Sequence, residues 1–448
     1  MNERFALHNT HQENASKFSD YDPQLRNLKK QFYIFTSGLI RQIPINIPGI
    51  YSIGGGRQIG KTTMLKQWME SLIKQGIEPK NITYVSGEII DDHHSLLNLV
   101  HSTLKEATDQ TFPTYMIIDE VTYIKDWDKA IKYLADSGAL HNTILIITGS
   151  DLALIKEARV RFPGRRGENP QVDFHFFPLS FYEYIKLVIK ESDSPSEEQL
   201  DKHFKNYLAH GGYLTAINDF HKNGTIKEGV YNTYSDWIRG DIIKHGKSEY
   251  YLREVLMSLL MSYGSQVTWN SLSHHISIDH PSTVQSYTQL LASMDAIFIQ
   301  HAIMEDKLIA APKKAKKIYF SDIFILHSIM QLLNKGGQKN IEIPESLLVE
   351  TTCINGFRRW FSTYYIKGTS GEVDIAYIKE KRFYPIEIKW TSQVRPHDLK
   401  QIRKYKYPLV LTKNQNGMLG DIRLEPLPGY LFNLGKENKD NFKFIDSY

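Results

Sequence analysis

The order of apolar and polar positions over the first 180 residues indicates short strands that alternate with amphipathic helices. Apolar runs predict strands at 50–53, 82–85, 115–118, 143–148 and 174–177. Helical spacing predicts helices at 24–41, 62–74, 95–108 and 128–135. Strands that alternate with helices in this way predict an α/β fold with a doubly wound parallel sheet, covered on both faces.

The pattern changes twice after residue 180. Helical spacing continues from 180 to 244 with a break at Gly211 and Gly212, and a further set of elements follows, with helices at 253–263, 269–276 and 281–294 and a β-rich run at 296–300. Their order resembles a winged helix-turn-helix in which 282–292 takes the place of the recognition helix. Such modules either read DNA or serve as linkers and protein contacts.

The last region has mixed helix and strand periodicity. It shows helices at 347–361 and 396–405 and strands at 363–367, 372–378, 382–388 and 408–411. A small α/β domain is therefore expected at the C-terminal end.

Composition places the chain among ordinary globular proteins, because 41% of its residues are hydrophobic and 23% are charged. We see no apolar run of the roughly 18 residues that a membrane span needs, and the first 21 residues are polar, so a cytoplasmic protein without a membrane partner is expected. The single cysteine, Cys353, excludes an internal disulfide framework. It is either a small packing residue or a reactive thiol.

The formal net charge of +4 is too small to indicate a nucleic-acid partner by itself. The basic residues are nevertheless clustered. One group comprises Lys313, Lys314, Lys316 and Lys317, and a second comprises Lys389, Arg395, Lys400, Arg403, Lys404 and Lys406. Clusters of this kind either contact a phosphate backbone or form solvated faces.

A glycine-rich segment follows the first predicted strand of the sheet. Residues 55–62 have two glycines separated by four residues and followed by Lys61 and Thr62, the pattern of a P-loop. Lys61 would neutralise the β and γ phosphates of ATP, and Thr62 would place its hydroxyl on Mg²⁺. The predicted nucleotide-binding residues are Gly55, Gly56, Arg57, Gln58, Ile59, Gly60, Lys61, Thr62 and Thr63.

An acidic strand end complements this loop. The apolar run at 115–118 leads into Asp119 and Glu120, which places Asp119 to hold the Mg²⁺ shell and Glu120 to polarise the attacking water. A chance glycine-rich turn is the alternative interpretation of residues 55–62. The strand before the loop, the helix after it and the later carboxylates favour a site that binds and hydrolyses ATP.

With these motifs the chain resembles the AAA-type P-loop ATPases of bacteria and archaea that carry a C-terminal domain of unknown function with nuclease-like sequence. The matching segments are GRQIGKTT at 56–63, IDE at 118–120, TGS at 148–150, PGRR at 163–166, PLSF at 178–181 and GGY at 211–213. The resemblance implies that Thr148 or Ser150 senses the γ-phosphate. It also makes Arg165 and Arg166 candidates for a charge-stabilising arginine, acting in cis or on a neighbouring subunit, with a solvated, mobile loop at 159–170 as the alternative.

The C-terminal region carries a second set of candidate residues. Glu350 falls on a predicted helix, Asp374 on a strand, and Glu387 with Lys389 on the next strand, an order that resembles the PD-(D/E)xK nuclease superfamily. Asp374 and Glu387 could share a Mg²⁺ that activates water. Strand alternation places Lys389 on the same side as Glu387, and Glu350 would complete the metal shell.

Two further features bear on this second site. The segment at 401–405 also resembles one that follows the catalytic strands in some of these nucleases, whereas Val373 stands where the family name would put a proline. A retained fold with catalytically silent carboxylates is the alternative.

Together these patterns predict a protein that binds and hydrolyses ATP and acts on DNA or RNA, as an ATP-gated, metal-dependent nuclease in genome maintenance or defence. The alternative is a nucleotide-dependent switch that binds a protein partner or itself, with the nuclease-like domain as a silent platform. The predicted division is a polar N-terminal segment (1–22), a P-loop ATPase domain (23–180), a helical region (181–250), a winged-helix-like region (251–330) and a nuclease-like domain (340–448).

Overall fold

The computed structural model describes residues 3–106, 112–189, 194–274, 276–335, 341–442 and 444–445. The chain separates into two units, Met1–Phe176 with Phe442–Phe444, and Phe177–Asn441 with Ile445–Tyr448. The finer five-part division stays a prediction. Within the described residues, no helix is long and apolar enough to cross a membrane.

The first unit contains the predicted alternation of strands and helices. In chain order its elements are α1 (Phe18–Tyr21), α2 (Pro23–Leu28), β1 (Gly49–Gly54), α3 (Lys61–Lys74), β2 (Ile82–Ser86), α4 (His93–Glu106), β3 (Thr114–Asp119), α5 (Trp127–Asp136), β4 (Thr143–Gly149), α6 (Ala153–Arg161) and β5 (Asp173–His175). The five strands form one parallel sheet in the order β2-β3-β4-β1-β5. The fold class is as predicted, and the end of the helix expected at 95–108 lies outside the described residues.

Both faces of this sheet are covered because its strands are apolar at nearly every position. Alternate side chains of β3 point to opposite faces. Ile117 belongs to the core that includes Trp68 of α3, and Met116 to the core that includes Leu96 of α4 and Ile131 of α5. This double burial is typical of a parallel sheet and leaves its carboxyl edge free for polar residues.

The N-terminal part departs from the sequence prediction. The expected helix at 24–41 ends at Leu28, and only Gly38–Arg41 forms a further 3-10 turn. Phe32 and Ile34 are 67% and 46% exposed, so the aromatic and β-branched run around them forms no buried helical face. The polar segment before α2 is tied to β2, where Asn9 exchanges hydrogen bonds with the backbone of Tyr84 at 2.7 and 2.8 Å.

The second unit begins with helices and ends with a mixed sheet. Its elements are α7 (Phe181–Val188), α8 (Glu197–His210), α9 (Leu214–Asn223), α10 (Glu228–Lys244), α11 (Glu249–Met261), α12 (Trp269–Ser273), α13 (Pro281–Ser293), β6 (Ile297–His301), β7 (Ile303–Met304), β8 (Ile309–Ala310), β9 (Lys316–Phe320), α14 (Ile323–Asn334), α15 (Glu345–Arg358), β10 (Thr363–Gly368), β11 (Gly371–Lys379), β12 (Arg382–Lys389), β13 (Leu409–Thr412), β14 (Gly417–Leu419), β15 (Ile422–Pro426) and α16 (Leu427–Glu437). The six-stranded sheet has the order β10-β11-β12-β13-β15-β14. This order, helices followed by a further α/β sheet, is the order that the sequence predicts.

The middle of this unit has the expected order of three helices followed by strands, and β6 pairs antiparallel with β9. The helix proposed for recognition, α13, is described over its whole length and contains no Lys or Arg. Contacts with phosphate, which position a recognition helix on DNA, would therefore have to come from other elements.

A short segment near the end also differs from its prediction. The helix expected at 396–405 consists of two 3-10 turns, Pro396–Leu399 and Ile402–Lys404. Leu399 and Ile402 are buried three residues apart, the spacing at which side chains of a 3-10 turn fall on one side. Cys353 is buried in α15, and this burial raises the pKa of its thiol, as expected for a packing residue.

Candidate functional site

The loop between β1 and α3 has the backbone that a P-loop requires. Gly60 has a φ of +101°, and a side chain at Gly55 would place its Cβ 2.4 Å from the carbonyl oxygen of Phe176. Only glycine fits both positions. Ile59 packs against the core at the side of the loop, and Thr63 is half-buried in the first turn of α3.

Lys61 lies inside this loop. It is 5% exposed, and its Nζ donates to the carbonyl oxygens of Gly55 and Gly56 at 2.9 and 3.0 Å. The same Nζ is 3.7 Å from Oε1 of Glu120. The ammonium therefore stands between the loop and the acidic end of β3, where a phosphate chain on the loop would meet it.

The Asp119 carboxylate accepts hydrogen bonds from three hydroxyl groups. Its Oδ2 accepts hydrogen bonds from Thr62 and Tyr84, both at 2.6 Å, and its Oδ1 accepts one from Thr148. The predicted pair Thr62 and Asp119 is therefore brought together. A hydroxyl and a carboxylate are the oxygen ligands that Mg²⁺ prefers.

Tyr84 was not predicted from the sequence, since its position in an apolar strand looks like that of a core residue. Parallel pairing of β2 with β3 sets its hydroxyl against Asp119. Burial, together with the neighbouring charge of Asp119, raises the pKa of Tyr84 well above its usual value, so the phenol remains a proton donor.

Replacing Tyr84 with phenylalanine should lower the free energy of unfolding by about 1.5–3 kcal/mol, because the lost hydrogen bond is to a charged acceptor. Tyr51→Phe is the matched control, since its hydroxyl donates to the uncharged carbonyl of Ile47 at 2.8 Å. Urea denaturation gives both values. In addition, the Mg²⁺ concentration for half-maximal ATP turnover should change in Tyr84→Phe alone, and equal behaviour of the two variants would contradict the assigned role.

Glu120 begins the turn after β3 with a φ of +53°, an unusual backbone for a glutamate. Its Oε2 accepts a hydrogen bond from the Ser150 amide at 3.1 Å, and its own amide donates to the Thr148 hydroxyl at 3.0 Å. Strained backbone of this kind is often found at catalytic groups. The ends of β3 and β4 thus hold the carboxylate that was predicted to activate water.

Arg57 of the P-loop contacts residues that follow β3 and β4. Its Nε donates to Oγ of Ser150 at 3.2 Å, and its guanidinium also donates to the Tyr123 hydroxyl. The P-loop is therefore connected through a side chain to the end of β4, where the γ-phosphate sensor was predicted. Gln58, next to it, has a φ of +58° at the tip of the loop.

The two arginines that follow α6 have different surroundings. The mobile loop expected at 159–170 is helical up to Arg161, and Arg166 is 9% exposed. The Arg166 side chain pairs with Oδ1 of Asp173 at 2.6 Å and donates to Oγ of Ser52 at 2.8 Å. Arg166 is therefore a buried link between β1 and β5, which corrects its interpretation as part of a solvated loop. Arg165 is partly exposed and pairs with Asp136.

The second predicted site forms where β11 and β12 run side by side. Asp374 and Glu387 flank the paired residues Ile375 and Ile386, and Oδ2 of Asp374 accepts a hydrogen bond from the amide of Ile388 at 2.9 Å. Glu387 Oε1 is 2.5 Å from Nζ of Lys389. The predicted side-by-side placement of Glu387 and Lys389 therefore holds.

Glu350 reaches the same cluster from α15. Burial, followed in importance by the charge of Asp374, raises the pKa of Glu350 to about 7 and that of Glu387 to about 8. A cavity of about 340 Å³ opens beside these groups. Its lining also includes His397, Lys400 and Gln401.

One residue in this cluster was not predicted as part of it. Lys317 of β9 is 1% exposed, and its Nζ lies 2.8 Å from Glu372, 3.2 Å from Glu350 and 3.7 Å from Asp374. The sequence placed Lys317 in a basic cluster that was interpreted as solvated or phosphate-binding, and that is wrong for this side chain. Nothing in the local sequence indicates the contact, because β9 and the carboxylates are separated along the chain.

Among the remaining basic residues of the two clusters, some side chains are buried and others are exposed. Lys316 is 5% exposed, with its ammonium 4.3 Å from the ring centroid of Trp269, whereas Lys313 and Lys314 are exposed. In the second cluster, the exposed members are Arg395, Lys400, Arg403, Lys404 and Lys406. Across the described part of the chain, no group of three or more His, Cys, Asp or Glu side chains is arranged to hold a metal ion.

Comparisons with known proteins agree with the geometry of the first site. Residues 48–185 match the family described as an AAA domain, and residues 201–336 match a domain of unknown function, DUF8612. The part of the chain that carries the P-loop is therefore similar to an AAA domain.

Two curated relatives are themselves uncharacterized proteins. One, from Haemophilus influenzae, is 27% identical over 53% of this chain and 59% of its own length. The other, from Methanocaldococcus jannaschii, is 24% identical over 77% of this chain and 74% of its own length. The match thus spans about three fifths of the Haemophilus protein.

Among solved structures, the chain is similar to the Aeropyrum pernix ORC1 protein in complex with DNA, with a TM-score of 0.33 and 10% identity over 63% of this chain and 87% of that one. It is also similar to AMPPCP-bound DnaA from Aquifex aeolicus, with a TM-score of 0.24 and 13% identity over 62% of this chain and 88% of that one. Likeness at this level carries no conclusion about function.

Proposed function

We propose that this protein hydrolyses ATP and acts on nucleic acid through the carboxylate cluster of its second unit, with the nucleotide state controlling that action. The observation that carries the proposal is the convergence of a P-loop lysine with an acidic strand end. Lys61 lies 3.7 Å from Glu120, and Thr62 donates to Asp119 at 2.6 Å.

In the first site, each side chain has one role. Lys61 would neutralise phosphate charge, and Thr62 with Asp119 would hold Mg²⁺, which when bound would offset charge on the phosphates. Glu120 accepts a hydrogen bond from the Ser150 amide at 3.1 Å, and its carboxylate would activate the attacking water. Thr148 or Ser150 would sense the γ-phosphate.

For the second site, two observations support action on nucleic acid. The carboxylates Asp374 and Glu387 have the oxygen chemistry that a divalent ion needs, and Oε2 of Glu387 is buried without a hydrogen-bond partner among the described residues. Lys400 lines the cavity beside them, and further exposed basic residues follow it in the sequence. A phosphate backbone, of DNA or RNA, would be attracted to such a rim.

A nucleotide-dependent switch with a silent platform is the second candidate, and one specific observation favours it. Lys317 already pairs with the carboxylates Glu350, Glu372 and Asp374, so positive charge is present where a metal ion would be needed. In that case, the second unit would bind a protein partner or a second copy of the chain.

The experiment that separates the two is cleavage by the purified protein. Linear, circular and single-stranded substrates are incubated with Mg²⁺ or Mn²⁺, with and without ATP, beside Glu387→Ala and Lys61→Ala. Cutting that depends on Glu387, on the divalent ion and on ATP is the expected result. Intact ATP turnover that is lost in Lys61→Ala, without any cutting, would instead support the switch.

A further inference from the structure

The Lys317 side chain is a fixed cation inside the carboxylate cluster. Lys317 and Tyr319 alternate along β9, so both point to the same side, and the Tyr319 hydroxyl donates to Oε1 of Glu350 at 2.5 Å. The Lys317 Nζ is 3.2 Å from the same oxygen. One strand therefore supplies both a hydroxyl and an ammonium to a glutamate of α15.

Several contacts hold this strand in place. β6, which pairs with β9, carries the fully buried Gln300, whose Nε2 donates to the backbone oxygens of Tyr364 and Asp374 at 3.0 and 2.9 Å. The Tyr365 hydroxyl donates to the oxygen of Ala315 at 2.5 Å. Because Gln300 donates to the backbone oxygen of Asp374, the β6–β9 pair is tied to the strand that carries this carboxylate.

The protein itself supplies part of the positive charge that the cluster needs. Four carboxylates, those of Glu350, Glu372, Asp374 and Glu387, face the ammonium groups of Lys317 and Lys389. Although burial by itself lowers the pKa of Lys317, the charges of Asp374, Glu350 and Glu372 raise it above its usual value. The Lys317 ammonium thus lies 3.7 Å from Asp374, where a metal ion bound to that carboxylate would meet it.

The other side of the cluster is incomplete. Glu387 is 6% exposed and lines the cavity, and its Oε2 finds no hydrogen-bond partner in the described part of the chain. A buried carboxylate oxygen without a partner is costly, so a water molecule or a cation at this oxygen would stabilise the site. A divalent cation that bound Glu387 and Asp374 would stand close to Lys317 and be repelled by it.

We propose that Lys317 is the resident cation of this site and competes with a divalent metal ion for its carboxylates, so that tight metal binding requires Lys317 to leave. The inference rests on the proposed function, because it concerns the same carboxylates.

Binding of Mn²⁺ to the full chain, followed by electron paramagnetic resonance, tests the proposal without any cleavage assay. Lys317→Met should bind Mn²⁺ at one additional site, or roughly tenfold or more tighter than wild type. The double variant Lys317→Met/Glu387→Ala should lose this gain. Lys316→Met is the matched control, because the neighbouring lysine is buried over Trp269 instead.

Unchanged or weaker Mn²⁺ binding in Lys317→Met would overturn the proposal. If that variant does not fold, Lys317→Gln replaces it. Mn²⁺ binding by the wild type is a second test: if the wild type binds Mn²⁺ tightly and Glu387→Ala abolishes that binding, Lys317 does not compete with the metal ion. A gain of Mn²⁺ in Lys317→Met without cutting by any form would leave the competition intact and remove only the nuclease function.

Discussion

ATP turnover by Glu120→Gln is expected to fall by about 10²-fold or more, the usual contribution of a general base. Glutamine keeps the size of the side chain and can still contact the Ser150 amide, but it cannot accept a proton from water. Lys61 and the loop glycines are unchanged, so nucleotide binding should persist. A steady-state ATPase assay measures turnover, and a fluorescent ATP analogue measures binding.

Glu88→Gln is the control for this variant, since Glu88 is exposed just beyond the end of the neighbouring strand β2. It should turn over ATP at the wild-type rate. Near-normal turnover by Glu120→Gln would show that another group activates the water, and loss of binding would show that Glu120 mainly maintains the shape of the loop.

The second large effect concerns folding. Arg166→Met should lower the free energy of unfolding by about 3 kcal/mol, the lower end of the cost of breaking a buried ion pair. The lower end applies because Asp173 retains a partner, Nε of Arg159, at 2.7 Å. Urea denaturation of the variant and of wild type gives the difference.

Arg165→Met makes a matched control, because the adjacent side chain pairs with Asp136 in solvent and should change stability little. The pair of variants also tests the arginine that was predicted to stabilise charge. If Arg166→Met folded as stably as wild type but hydrolysed ATP poorly, Arg166 would be the charge-stabilising arginine, and its assignment as a structural link between β1 and β5 would be wrong.

The first site could be predicted almost completely from the sequence. Its predicted residues lie in three short segments, at 55–63, 119–120 and 148–150, and the P-loop pattern fixes the contacts of Lys61 with Gly55 and Gly56 locally. The partner segment at Asp119 was predicted because parallel strands carry their polar residues at the same edge. Tyr84 was not predicted, since a tyrosine inside an apolar strand is normally a core residue.

The second site was predicted only in part. Asp374 and Glu387 were predicted from the resemblance to a nuclease superfamily, and strand alternation, which is a local property, placed Lys389 on the same side as Glu387. Lys317 does not, because it joins the cluster through the pairing of β9 with β6 and the bonds from Gln300 to the backbone of β10 and β11. The burial of Arg166 was not predicted either, because the segment around it is rich in Arg and Gly and indicated a solvent-exposed loop.

The sequence by itself therefore determined the alternation of strands and helices, the P-loop, and the carboxylates at the strand ends, because periodicity and short spacings express local backbone geometry. The tertiary structure decided which of the basic residues are buried and what they neutralise. Lys317 is surrounded by carboxylates of α15 and β11, far from it in the chain, whereas Arg166 pairs with Asp173 seven residues away and donates to Ser52 of the distant strand β1. The low polarity of both surroundings makes such pairing necessary. Only the packed fold brings those charges together.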